Sequence, residues 1–336
     1  MPGVDTLAGL LDGPRARDAF LLRSLLSPPW AMRIEDRAAL TLVAVATGTA
    51  FLTVDDAEPR ADDRSVRLDT GDVAVLRGPE PYTVSDDPGT RIQMVIRPGQ
   101  SCHTVDHDAR PMVDLGVRTW GNHATNALGT NALGNNTPGG TALLTGTYQL
   151  PGETSRRLLN TLPPLVLVRA GDWPGNRDNP LISYLTEEIG RDEPGQDAVL
   201  DRLLDLLLIA ALRAWFARPE AAAPGWYSAH GDPVVGPALR LLHHQPAHPW
   251  TVSELARRVG VSRAAFARRF HELVGEPPMS FLTEWRLTLA ADLLREPSAT
   301  VGSVARRVGY ASPYALSTAF KRVRGINPRQ HRERVS

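Results

Sequence analysis

The chain has 336 residues, 37 Lys plus Arg against 37 Asp plus Glu, and a hydrophobic fraction of 42%. This composition excludes a disordered or fibrous polypeptide and provides for two globular domains with separate cores. A single cysteine excludes a disulfide framework and fits a reducing cytoplasm, and Asp5 and Asp12 interrupt any early apolar run, so neither a signal sequence nor a membrane segment is expected. The longest apolar segment, Leu203 to Phe216, contains Asp205 and Arg213 and is too short to cross a bilayer.

From Leu40 to Ile96 short apolar runs alternate with turns. Leu40 to Ala46, Ala50 to Val54, Val73 to Leu76 and Arg91 to Ile96 are separated by Gly, Pro and Asp, with an acidic loop over Asp55 to Arg64. Such runs predict a β-barrel or sandwich. Gly71-Asp72-Val73-Ala74-Val75-Leu76-Arg77-Gly78 followed by Pro81-Tyr82 resembles the strand and bend of a cupin barrel. Metal-dependent cupins cluster His with a carboxylate, because those ligands leave open coordination positions for substrate. Here the slot after Pro81, commonly His in such barrels, is Tyr82, and Leu40-Thr41-Leu42-Val43 carries no partner His, so no barrel metal, no cofactor and no enzymatic activity are expected.

Trp30, Tyr82 and Tyr148 fit either a core or an effector pocket. Cys102, His103 and His107 are weak candidates for zinc or copper, and Cys102 for a redox sensor. Their spacing fits no zinc signature, and the polar segment Pro98 to Asp108 reads as a surface loop. Residues 121–140 repeat Thr-Asn-Ala-Leu-Gly and cannot build a core. Two helices follow, Asn179 to Gly190 and Gln196 to Ala217. The second has a broad stripe, Val199, Leu200, Leu203, Leu204, Leu207, Leu208, Ala211, Leu212 and Trp215, which suits packing on its own barrel or an isologous homodimer. The expected division is a sensor barrel over 1–175, a helix pair over 176–217, a linker rich in Pro, Ala and Gly over 218–232, and an all-α domain over 233–336.

That last domain contains a repeat. Leu255-Ala256-Arg257-Arg258-Val259-Gly260 returns as Val304-Ala305-Arg306-Arg307-Val308-Gly309. In the first copy Ser253 is placed to cap a helix, Gly260 turns the chain, Ser262 caps a second helix, and Phe266, Phe270 and Leu273 face inward. In the second, Gly309, Ser312 and Pro313 take the same places, with Leu316, Phe320 and Val323 inward. These are two helix-turn-helix units, about 251–274 and 301–324, joined by one helix over Phe281 to Arg295. That helix is ~22 Å long, suited to major-groove segments ~34 Å apart. Residues 225–336 hold 16 basic against 8 acidic residues, a balance of +8 that leaves −8 elsewhere, so the charge lies where polyphosphate would bind.

Residues 233–332 are similar to the DNA-binding domain of AraC/XylS-type transcription regulators, most closely from Ala305-Arg306-Arg307-Val308-Gly309-Tyr310 to Gly325-Ile326-Asn327-Pro328-Arg329-Gln330-His331-Arg332. With Ser27-Pro28-Pro29-Trp30 and Gly146-Thr147-Tyr148 to Leu162-Pro163-Pro164-Leu165, residues 5–170 resemble the cupin-type sensor of one AraC subgroup; a cysteine often found before its Gly-x-Tyr is Thr145 here. The resemblance implies base contacts from Arg263, Ala264, Ala267 and Arg268, then Pro313, Tyr314, Ser317 and Thr318, with Arg269, Lys321 and Arg322 toward phosphate. Arg268 suits a bidentate guanine contact, and the alanines only a thymine methyl. The expected protein is a sequence-specific regulator that binds promoter DNA as a homodimer, responds to a small-molecule effector, and engages RNA polymerase if it activates. The rival expectations are a metal-binding cupin enzyme or redox/metal sensor fused to a DNA-binding domain, and a non-specific architectural DNA binder.

Overall fold

The computed structural model describes residues 20–55, 65–106, 110–122, 140–148, 152–173, 179–221 and 223–335. Most of the acidic loop, most of the repeat over 121–140, and His107 lie outside them. In chain order the elements are β1 (Phe20–Leu26), β2 (Ala31–Ile34), β3 (Leu40–Thr47), β4 (Thr49–Val54), β5 (Ser65–Asp69), β6 (Val73–Arg77), β7 (Tyr82–Ser85), β8 (Met94–Arg97), β9 (Ser101–Thr104), β10 (Val113–Gly116), β11 (Thr119–Gly121), β12 (Thr141–Tyr148), α1 (Glu153–Leu159), β13 (Leu165–Val168), α2 (Pro180–Glu188) and α3 (Gln196–Phe216). There follow α4 (Gly225–Ser228), α5 (Val235–His244), α6 (Val252–Arg258), α7 (Arg263–Val274), α8 (Pro278–Leu293), α9 (Val301–Arg307), α10 (Pro313–Arg324) and α11 (Pro328–Val335). The described residues form two units, a barrel of 20–148 with 162–221 and a helical unit of 223–335 with 152–161.

The barrel is two facing sheets, ordered β10-β11-β1-β12-β3-β6-β13 and β5-β4-β7-β2-β8-β9. Described strand pairs are antiparallel except β1 with β11 and β2 with β8. Side chains alternate along each strand, so Val43 and Val45 of β3 join Leu26, Trp30, Leu52 and Val84 in the interior core. Leu40, Leu42 and Ala44 on the other face are buried too, which is why β3 reads as a nearly continuous apolar run. The outer face is covered: α2 packs on β3, and α3 on β6 and β13. Gly146 of β12 lets α3 approach, since a Cβ there would stand 2.5 Å from Leu204 Cδ1. Leu200, Leu204, Leu207, Leu208, Ala211 and Leu212 are all at most 1% exposed within the single chain. Much of the broad stripe on α3 is thus buried without a second subunit, whereas Val199, Leu206 and Tyr184 stay exposed.

In the helical unit two short-long helix pairs, α6 with α7 and α9 with α10, share α8. Buried residues occur around α8 rather than along one stripe, including Phe281, Leu282, Trp285, Leu287, Ala290 and Ala291. Phe281 meets Phe270 edge-on at 5.9 Å in the first core, while Leu287, Ala290 and Ala291 join Val304, Ala305, Leu316 and Phe320 in the second. The cap of α6 is Thr251, whose hydroxyl accepts from the Glu254 amide, rather than Ser253. Ser262 and Ser312 cap α7 and α10 as expected. Leu273 and Val323, expected inward, are 37% and 41% exposed. Each lies in the last turn of a twelve-residue helix, about 18 Å long, whose seven-residue partner covers only about 10 Å.

His243 of α5 is buried against Phe281 and Trp285, at ring separations of 5.4 and 4.5 Å, and neither ring nitrogen has a hydrogen-bond partner among the described residues. Burial first, then the charges of Arg157, His244 and His230, lowers its pKa to about 3. The unfolded imidazole titrates near 6.5, so acid protonates the unfolded chain first, and the stabilising contribution, complete above that value, is lost as pH falls. Between pH 7 and pH 5 wild-type protein should lose about 2 kcal/mol more stability than His243→Leu in urea titrations.

Candidate nucleic-acid interface

The two longer helices of the repeated pairs expose nearly the same set of positions. Residue for residue, α7 and α10 share their burial pattern at every position but one, where Arg269 is exposed and Ala319 half-buried. Phe266 and Phe270 occupy the inner places that Leu316 and Phe320 take in the other copy. Of the expected base-contacting residues, Arg263, Ala264, Arg268, Pro313, Tyr314 and Thr318 are exposed, and Ala267 and Ser317 are half-buried. Tyr314 projects furthest, at 81% exposure. A ring held this far from any core has no packing role.

The basic groups divide by what they touch. Among the described residues Arg268 has only an i,i+4 approach to Glu272 at 3.8 Å, a surface pairing that constrains it little. Lys321 and Arg322 are exposed in the last turn of α10. Arg269 is engaged: its guanidinium donates twice to Asp232, at 3.0 and 2.6 Å. Arg269 and the Val234 and Val235 amides together hold the Asp232 carboxyl down at about 2. Arg258 lies 5.4 Å over Trp250 and Arg307 pairs with Glu296 at 3.2 Å. Arg286 donates to the Pro246 and His248 carbonyls at 2.6 and 2.8 Å, tying α8 to the loop before α6. Sequence reasoning did not separate these tied arginines from the outward ones, because each partner lies on another element.

The barrel contains a cavity of about 430 Å³. Tyr82 lines it together with Asp36, Gln100, Cys102, Met112 and Trp120. Burial, helped by Asp36, holds the Tyr82 hydroxyl well above the ordinary phenol range. Gln100 donates to Asp36 at 3.2 Å. Trp30 is packed in the interior core, and Tyr148 points to the other face of β12; neither lines the cavity. The alternation of β12 explains this, since Thr145 and Thr147 face the cavity while Gly146 and Tyr148 face α3. Cys102 lies on β9, not on a loop, with its sulfur 3.7 Å from that of Met94, and burial pushes its thiol up. His103, next on the strand, points to the opposite face. Among the described residues no group of three or more His, Cys, Asp or Glu is placed to hold a metal. Asp36, Gln100, Met112 and Trp120 were missed because strand register alone assembles them.

A barrel with a cavity and a tandem helix-turn-helix unit with two exposed outer helix faces define a regulator that binds DNA. Comparison with known proteins agrees. Residues 5–217 match the cupin family, and residues 255–334 match the helix-turn-helix domain family. An AraC-like transcription regulator of Streptomyces antibioticus is 33% identical over 304 residues, 90% of each chain, and one of Streptomyces lividans 32% identical over 307, again 90% of each. Among solved structures, the DNA-binding domain of AdpA in complex with a target DNA is 35% identical, covering 31% of this chain and 93% of that one, with a TM-score of 0.29. The chain belongs to the cupin family and to the AraC-like transcription regulators, and it is a DNA-binding transcription regulator of AraC type. Among the described residues no helix is long and apolar enough to cross a membrane.

The two turn glycines, equivalent in sequence, differ in surroundings. Gly260 and Gly309 both have positive φ, 74° and 84°. Among the described residues nothing beyond its chain neighbours lies within 4 Å of a Cβ at Gly260, but one at Gly309 would stand 2.6 Å from the Ala247 Cα and 2.7 Å from its carbonyl oxygen. Gly260→Ala should therefore cost about 1 kcal/mol, the left-handed penalty alone. Gly309→Ala should cost at least twice that, because backbone must move, as urea titrations of the two variants would read.

Proposed function

We propose that the helical unit reads promoter DNA by placing the outer faces of α7 and α10 in successive major grooves. The observation that carries this is the near-identical burial pattern of the two helices, which leaves the same set of positions facing out in both. Arg268 reads guanine, Arg263 and Tyr314 contact neighbouring bases, Ser317 and Thr318 add hydrogen bonds, and Ala264, Ala267 and Pro313 offer apolar contacts. Lys321 and Arg322 bind phosphate, with Arg269 joining them if it leaves Asp232. The barrel takes a small-molecule effector in its cavity, whose volume lies in the ordinary range for ligand pockets, roughly 300–1,000 Å³. The exposed apolar residues Tyr184, Val199 and Leu206 support an isologous homodimer through α2 and α3. The role is regulation rather than catalysis, as the names of the relatives suggest, and RNA polymerase is a partner if the promoter is activated.

Arg268→Ala should relax preference at one base position at a cost of about 1–3 kcal/mol, whereas Lys321→Ala should weaken binding to all sequences and reduce the salt slope by about 1. Competition mobility shifts over a range of salt separate the two; unchanged binding in both variants would remove these helices from the interface. Leu206→Glu should convert a dimer to monomers in sedimentation, without loss of helical circular dichroism.

A further inference from the structure

Helix α1 lies in sequence between two barrel strands, yet it belongs to the helical unit. Its N-cap is Gly152, which has no side chain to satisfy the first amides. Asp292 of α8 supplies the cap instead: its carboxylate accepts from the Glu153 amide at 2.5 Å, the Thr154 amide at 3.0 Å and the Thr154 hydroxyl at 2.6 Å. Such charge-assisted bonds are the stronger kind, and a carboxylate also suits the positive end of a helix. Glu153 pairs with Arg324 at 3.2 Å, which also reaches Glu284 at 3.4 Å and the Thr288 hydroxyl at 3.0 Å. Arg157 lies 5.0 Å over the Phe281 ring and 3.7 Å from Glu276. Phe281, Glu284, Thr288 and Asp292 recur at three- and four-residue spacing, so they form one face of α8. Helix α1 thus also touches the turn after α7 through Glu276 and the end of α10 through Arg324.

The end of α1 that Asp292 caps follows β12 in sequence, and Thr145 and Thr147 of that strand line the cavity. We propose that α1 is a regulatory clamp: docked on α8, it fixes the arrangement of the two helix-turn-helix pairs, and a ligand seated against Thr145 and Thr147 favours its release. This rests on the reading of the cavity as the effector site. The ligand shifts the balance only by binding the docked and released states differently.

The test uses the full chain and a duplex that the wild-type protein selects from a random pool. Asp292→Ala and Thr154→Val should speed hydrogen exchange of residues 152–161, about tenfold in the first, and weaken duplex binding at least threefold, with exchange of α7 and α10 unchanged. Gly152→Cys with Asp292→Cys, in a Cys102→Ser background, supplies a lock, since a Cβ at position 152 would lie 3.4 Å from Asp292 Cγ. Oxidation should restore affinity and reduction should remove it. Fast exchange of α1 in the wild-type chain, or its release with affinity unchanged, overturns the clamp. If Thr147→Leu, which fills the cavity from the β12 wall, leaves α1 exchange unaltered, control by the cavity is overturned while docking stands. Failure to select any duplex sinks the DNA reading instead, and exchange still decides the docking.

Discussion

The helical unit depends on the burial of α8. One helix contributes Phe281 to the first core and Leu287, Ala290 and Ala291 to the second, so neither helix pair is complete without it. A helix apolar around most of its circumference is stable only when covered on several sides. The paired helices supply that cover, and their outer faces stay exposed because their inner faces are committed. Sixteen residues give a rod of about 24 Å shared by the two helix pairs. Helix propensity acts with this packing, since Leu, Ala, Glu, Arg and Met residues make up most of α8.

Much of this was legible in the sequence because it is local. Ser262, Ser312, Pro313 and the turn glycines act within a few residues of themselves, and the inner aromatics follow a fixed period. The cap at Thr251 was displaced by two residues because Ser253 offers the same hydroxyl, and only the direction in which the chain enters the helix separates them. The barrel was legible as a class from its short runs, but its wiring was not. Parallel pairing of β1 with β11 and of β2 with β8 joins segments far apart in sequence, and that pairing assembles the cavity. Tyr148 shows the cost: strand alternation decides whether it faces a ligand or a helix, and the register was unknown.

Arginine illustrates the same limit at the level of single side chains. Arg268 faces solvent, while Arg286, Arg324 and Arg157 fasten α8 to its surroundings. All four look alike as a basic composition. A planar guanidinium with five donors serves equally as a structural tie and as a reader of bases. Asp232 adds a third case, holding Arg269 while accepting from the amides that open α5, so one carboxylate sets both a helix start and the charge available beside it.

The matched burial of α7 and α10 has an evolutionary consequence. Because the outward positions of each helix lie apart from the aromatic interiors, amino-acid changes there can accumulate without disturbing the fold. Under the proposed reading of DNA by these two faces, each half of a binding site can then drift, or be redesigned, separately from the other. A lineage could retarget one half of its operator while retaining the second as an anchor.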